Sequence, residues 1–158
     1  HLLLMFICVH CPFVKYIENQ ISILSKDIED QVQSIAISSN DIISTPSDSP
    51  ANMRKQAQLN GWNFPYLYDS NQSLAKKLKA ACTPDFYLFS NQGNNNFSLF
   101  YHGQLDDSRP SNNISLTGKD LLCAVKDLNN NDSYPLNQIP SLGCNIKWKQ
   151  GKEPDWFK

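Results

Sequence analysis

A chain of 158 residues with 14 Lys+Arg against 15 Asp+Glu has a formal net charge of -1. That is long enough for one domain with a real core, and the balance gives no electrostatic case for nucleic acid or an anionic membrane as partner. No apolar stretch approaches the roughly 20 residues needed to cross a bilayer, and the apolar start, His1 to Ile7, is too short and wrongly flanked for a secretory signal.

Residues 2–7 form a continuous apolar run, the pattern of a strand covered on both faces. Residues 13–27 place Phe13, Val14, Ile17, Ile21 and Leu24 at helical spacing, and Pro12 fits a first helical turn. Residues 32–38 alternate as a second, mostly buried strand, and residues 40–50, with Thr-Pro and Ser-Pro, read as a loop. Ser49 and Pro50 open a helix that Gly61 ends, a short strand follows over 64–68, and Asp69 or Ser70 caps a helix over 72–81. Two strands, 85–89 and 97–101, flank an Asn/Gly-rich connection that predicts a hairpin. Thr117 opens a last helix with Leu121, Leu122, Val125 and Leu128 at core spacing. The expected organisation is one domain over 1–128, with a tail over 129–158 that packs on it.

The order β-α-β, an α-β insert, then α-β-β-α predicts an α/β fold of the thioredoxin type: a mixed central sheet with helices on both faces. The chain begins at a non-Met residue, directly in a predicted core strand, so residues upstream are expected. Four Asn-X-Ser sequons, at Asn71, Asn96, Asn113 and Asn131, read as chance in an Asn- and Ser-rich chain.

The chemistry concentrates in Cys8-Val9-His10-Cys11. A strand that delivers C-x-x-C onto a helix start builds a reactive dithiol, because the thiolate is the nucleophile and the helix N-terminus stabilises it. Cys8 is the expected exposed nucleophile, Cys11 the resolving thiol one turn on, and His10 the group that favours the Cys8 thiolate. Two bland readings compete: a pair of structural cysteines, and a zinc site. Zinc commonly takes two close ligand pairs, whereas His10 is too near to supply a second pair and the other cysteines, 82, 123 and 144, are singletons. No metal or cofactor is therefore expected. Five cysteines with one close pair do not look like a disulfide-stapled secreted scaffold, which points to the cytoplasm.

The other cysteines leave choices open. Cys82 either exchanges with the dithiol or is a small buried residue. Cys123 reads as core on the last helix. Cys144 is either a third redox thiol, if the tail folds over the site, or a residue buried beneath the tail. Asp106-Asp107-Ser108-Arg109 reads as a turn held by an Asp107–Arg109 hydrogen bond, and Trp62, Trp148 and Trp156 read as packing residues.

Phe6-Ile7-Cys8-Val9-His10-Cys11-Pro12-Phe13-Val14-Lys15, Ile37-Ser38-Ser39-Asn40-Asp41, Ala81-Cys82-Thr83-Pro84-Asp85-Phe86, Leu105-Asp106-Asp107-Ser108-Arg109-Pro110 and Gly143-Cys144-Asn145-Ile146-Lys147-Trp148-Lys149 together resemble the peroxiredoxin-like, redoxin-domain branch of the thioredoxin superfamily. The resemblance implies an N-terminal hairpin and strand that this chain lacks. The thioredoxin fold implies a cis-proline at Pro84 facing the dithiol, with Thr83 and Pro84 holding the substrate strand. Peroxidases of this superfamily carry P-x-x-x-T-x-x-C. Aligned on Cys11, the Thr and Pro positions hold Cys8 and Leu4; aligned on Cys8, they hold Met5 and His1. The peroxide-activating residues are missing either way. The favoured activity is thus thiol–disulfide oxidoreduction on protein or small-molecule thiols and disulfides. The alternatives are a thiol peroxidase with Cys82 or Cys144 as resolver, and a Sco-like copper-binding module with His102 as the distal ligand.

Overall fold

The structure, a computed structural model, describes residues 1–130 and 138–157. The sequon at Asn131 and part of the predicted tail lie outside the described residues. A five-stranded mixed sheet forms the centre. β1 (Leu2–Phe6) pairs in parallel with β2 (Gln33–Ser38), which pairs in parallel with β3 (Tyr66–Tyr68). On its other side β1 pairs antiparallel with β5 (Asp85–Asn91), and β5 with β6 (Phe97–Gly103), giving the order β3-β2-β1-β5-β6. The helices are α1 (Pro12–Asp27), α2 (Pro50–Leu59), α3 (Ser73–Leu78) and α4 (Lys119–Asn129), and a 3-10 turn spans Pro46–Asp48.

The apolar run at the start becomes the central strand because both of its faces are covered. Successive side chains of a strand point to opposite sides. Leu3 and Met5 enter one core with Val14, Ile17, Ile21 and Leu24 of α1 and Leu121, Ala124, Val125 and Leu128 of α4. Leu4 and Phe6 enter a second core with Ile37, Ala75, Tyr87, Ile146 and Trp148. The helical stripe over 13–27 thus faces the first core as expected.

Two elements differ from the sequence reading. α3 is shorter than 72–81, because Gln72 sits in the left-handed region (φ 60) and Lys79 does the same at the other end (φ 57). The Gln72 side chain is spent elsewhere: its Nε2 donates to Ser39 O (2.7 Å) and Lys147 O (2.9 Å), and its Oε1 accepts from Lys149 N (3.0 Å). On α4, Cys123 is exposed rather than core. Leu121, Ala124, Val125 and Leu128 occupy the buried face, and a residue two positions beyond Leu121 points away from it.

Two strands of two residues each were not legible in the sequence. β4 (Cys82–Thr83) pairs antiparallel with β7 (Cys144–Asn145), with Cys82 opposite Asn145 and Thr83 opposite Cys144. Gly143 makes this pairing possible. A Cβ there would lie 2.0 Å from Thr83 O and 2.6 Å from Thr83 C, both backbone atoms that cannot swing aside. Beyond β7, Ile146 and Trp148 are buried in the second core, and Trp148 packs edge-on against Trp156 and Phe157. Trp62 stacks on Phe64 and meets Tyr66 edge-on.

Gly143→Ala is expected to lower unfolding stability by about 2–3 kcal/mol, the upper end of an overpacked contact, because β7 must leave β4. Gly61→Ala is the control: its φ of +63 is strained for alanine but nothing lies within 4 Å, so the cost is only the ~1–2 kcal/mol of a left-handed residue. Denaturant unfolding of the two variants, with alkylation of Cys144 in each, measures the difference; equal alkylation rates would refute the Gly143 argument.

Candidate active site around the dithiol

β1 ends at Phe6, and Ile7 N still donates to Ile37 O (3.0 Å), so the sheet carries the chain up to Cys8. α1 starts at Pro12, which makes Cys11 its N-cap residue. The five-residue bridge between strand and helix is held by a buried carboxylate. Asp48 Oδ1 accepts from Val9 N (2.8 Å) and His10 N (3.0 Å), and Asp48 Oδ2 pairs with His10 Nδ1 (2.6 Å) and accepts from Asn40 Nδ2 (2.6 Å). Gln56 Nε2 adds a bond to Cys8 O (3.2 Å). Asp48, Asn40 and Gln56 were missed by the sequence reading. Asp48 sits in a stretch that reads as a loop and helix cap, and no local pattern announces that its carboxylate turns back onto residues 9 and 10.

The opposite wall is Thr83-Pro84, joined by a cis peptide bond. Cys8 Sγ lies 3.3 Å from Thr83 Oγ1 and 3.8 Å from His10 Nδ1. Cys11 Sγ lies 3.2 Å from Thr83 O and 2.9 Å from Cys144 Sγ. Each thiol has a single hydrogen, so Cys11 donates to one of these two partners at a time. The structure therefore brings together Cys8, Cys11, His10, Thr83 and Cys144. His10 is beside the Cys8 sulfur, but the same nitrogen makes a much shorter contact with Asp48.

Both dithiol cysteines are fully buried, and their surroundings push the two thiols in opposite directions. The Cys11 thiol is lowered to about 4, first by the hydrogen bond from Cys8 and, against burial, by the Cys144 thiol and the backbone amides of Val14 and Cys144. Cys8 is pushed up by the hydrogen bond it gives to Cys11, by burial and by the Asp48 carboxylate, with Thr83 opposing. Cys144 is pushed up to about 11 by burial and its bond to Cys11. The expectation of an exposed Cys8 is corrected: the residue is fully buried. The helix begins after Cys11, so the amides of its first turn reach that sulfur and not Cys8.

Cys82 is half-buried, points its sulfur at Pro84 O (3.8 Å) and Ser141 O (3.7 Å), and is pushed up to about 12 by burial. His102 belongs to another cluster: Nε2 meets Asp85 Oδ2 at 3.1 Å and the ring stacks on Tyr87 at 4.0 Å. Among the described residues, the side chains grouped closely enough to hold a metal ion are Cys8, His10 and Asp48, with donor atoms within 4.8 Å of one another; His102 is not among them. Arg109 does not pair with Asp107. Its guanidinium donates to Asp106 O, Ser108 O and Gln104 Oε1, while Asp107 binds Lys119 at 2.6 Å.

No curated protein matches the chain. A crystal structure of an uncharacterized conserved protein from Geobacillus kaustophilus is 46% identical, with a TM-score of 0.89 over 95% of this chain and 78% of that one. A secreted disulfide oxidoreductase of Mycobacterium tuberculosis, described as homologous to E. coli DsbE, shares the fold at 14% identity, with a TM-score of 0.56 over 79% of each chain. A thioredoxin-like protein in its oxidised form does so at 17% identity, with a TM-score of 0.63 over 84% of this chain and 79% of that one. The AhpC/TSA family model matches residues 1–95. With that match, the mixed sheet and its thioredoxin-like neighbours, the chain belongs to the AhpC/TSA family, in the redoxin branch of the thioredoxin superfamily.

Proposed function

We propose that this redoxin is a thiol–disulfide oxidoreductase whose working pair is Cys8 and Cys11. The observation that carries the reading is the placement of that pair: the C-x-x-C joins the end of β1 to the start of α1, Cys11 is the N-cap residue of that helix, and both sulfurs face Thr83. Disulfide exchange needs a thiolate at working pH and a second sulfur within reach.

In the reduced state the pair holds one proton. Its transfer from Cys8 to Cys11 along their hydrogen bond exposes Cys8 as thiolate, which attacks a substrate disulfide. A Cys8–substrate mixed disulfide forms and one substrate thiolate leaves. Cys11 then passes its proton to the second leaving sulfur and attacks Cys8 Sγ. The Cys8–Cys11 disulfide forms, the substrate has gained two electrons and the protein has lost two. Thr83 Oγ1 at 3.3 Å supports the Cys8 thiolate by donating to it. Thr83-Pro84 is the wall facing the dithiol against which a substrate is held, and protein or small-molecule disulfides are the substrate class. His10, fixed by Asp48 through its backbone N and its Nδ1, positions the bridge beside Cys8.

In a disulfide-reduction assay Cys8→Ser loses at least ~100-fold in rate, because the sulfur that attacks the substrate disulfide is gone. Cys11→Ser accumulates protein–substrate mixed disulfides visible as a mass increase. A Cys8→Ser protein of unchanged rate overturns the reading.

The pH dependence follows from the sign of the Cys11 shift. A thiol lowered from 9.0 to about 4 stays ionised as pH falls and loses its charge only near that lower value. The ultraviolet thiolate absorbance of the reduced protein is expected to report one thiolate per chain at neutral pH that persists well below the pH at which an ordinary thiol is protonated. Cys8→Ala, which deletes the largest cause of the lowering, moves that titration upward. Two thiols titrating together at their ordinary value refute the assignment.

A further inference from the structure

The dithiol has a third sulfur at its back, and the mechanism above leaves it unused. Cys144 Sγ is 2.9 Å from Cys11 Sγ, held there by the β4–β7 register that sets Cys144 opposite Thr83. Its neighbour Gly143 packs directly on the Thr83 carbonyl, so β7 sits as close to the dithiol wall as backbone allows. The strand does not stand alone. Ile146 N donates to Ala81 O (2.9 Å), Lys147 N to Asn40 Oδ1 (2.8 Å), and Lys147 O accepts from Asp41 N (2.8 Å). Asn40 also binds Asp48, so the carboxylate that pins Cys8–Cys11 and the strand that carries Cys144 are fastened to the same side chain. Cys8 and Cys11 are fully buried, whereas Cys144 is only half-buried.

We propose that Cys144 is a third exchange thiol, which takes the disulfide over from Cys8. This rests on the reading of Cys8 and Cys11 as the redox pair. In the oxidised protein the Cys144 thiol gives up its proton and its sulfur attacks Cys11 Sγ of the Cys8–Cys11 disulfide. The Cys11–Cys144 bond forms and the Cys8–Cys11 bond breaks, with Cys8 leaving as a thiolate that takes up the proton Cys144 released. The protein keeps one disulfide throughout, so the step needs no oxidant or reductant. Cys11 shares the C-x-x-C turn with Cys8 and lies 2.9 Å from Cys144 Sγ, which makes it the member common to both disulfides. The consequence is directional. Oxidation enters at the buried Cys8 side, and the disulfide is passed to the half-exposed Cys144, where an external dithiol reductant reaches it more easily than it reaches Cys8.

The test maps disulfides by mass spectrometry after oxidation with limiting oxidised glutathione, acid quench and alkylation, in the full chain. Wild type is expected to yield both Cys8–Cys11 and Cys11–Cys144 linked peptides, and Cys8→Ser to yield Cys11–Cys144 alone. Cys144→Ser is expected to yield only Cys8–Cys11 and to be re-reduced by dithiothreitol about tenfold more slowly, since access governs exchange rates. The wild-type map stands even if a variant does not fold. If Cys8–Cys11 forms and turns over substrate while Cys11–Cys144 never appears in wild type or Cys8→Ser, the third-thiol inference fails and the oxidoreductase reading stands. If neither disulfide forms, both fail.

Discussion

Thr83 is the residue on which the site converges. Its hydroxyl meets Cys8, its carbonyl meets Cys11 and, through the β4–β7 register, its backbone lies against Cys144 and Gly143. Three sulfurs from two distant parts of the chain are therefore positioned by one residue's backbone and side chain. Pro84 brings no N–H to that edge, and the Thr83 carbonyl lies between Cys11 and Gly143. A displacement of this short segment would be felt at every sulfur in the cluster.

The opposite wall answers a different problem, which is how to hold a loop beside a reactive thiol without covering it with apolar bulk. Asp48 does so as a fully buried carboxylate with four donors around it. Burying a carboxylate is costly unless its oxygens are hydrogen-bonded, and here both are. Its charge has a second effect. It opposes ionisation of Cys8, while the helix start and two neighbouring thiols favour ionisation of Cys11. The two cysteines of one C-x-x-C, three positions apart in sequence, therefore sit in opposed fields, and the pair titrates as a unit rather than as two equal thiols.

The tail is part of this arrangement. Ile146 and Trp148 complete the second core beside Leu4 and Phe6, so the apolar burial that stabilises the sheet also presses β7 against β4. Packing and chemistry are coupled through Gly143, where even one added carbon would meet backbone.

Much of the molecule is legible in local sequence. Leu2–Phe6 can only be a strand buried on two faces, the 13–27 stripe can only be a helix with one apolar side, and C-x-x-C before Pro12 marks a dithiol at a helix start. These patterns are short-range, and side-chain periodicity carries them. What tertiary structure decided is long-range. Cys11 and Cys144 are 133 positions apart, and no periodicity links them. Asp48 reads as a loop residue until its carboxylate is seen to hold the backbone at 9–10. Cys123 lies within an apolar helix yet faces outward, because which residues of a helix are buried depends on the neighbour it packs against. The C-x-x-C is written in the sequence; the return of β7 onto Thr83 and of Asp48 onto the dithiol loop decided what surrounds each sulfur, because those contacts join segments far apart in the chain.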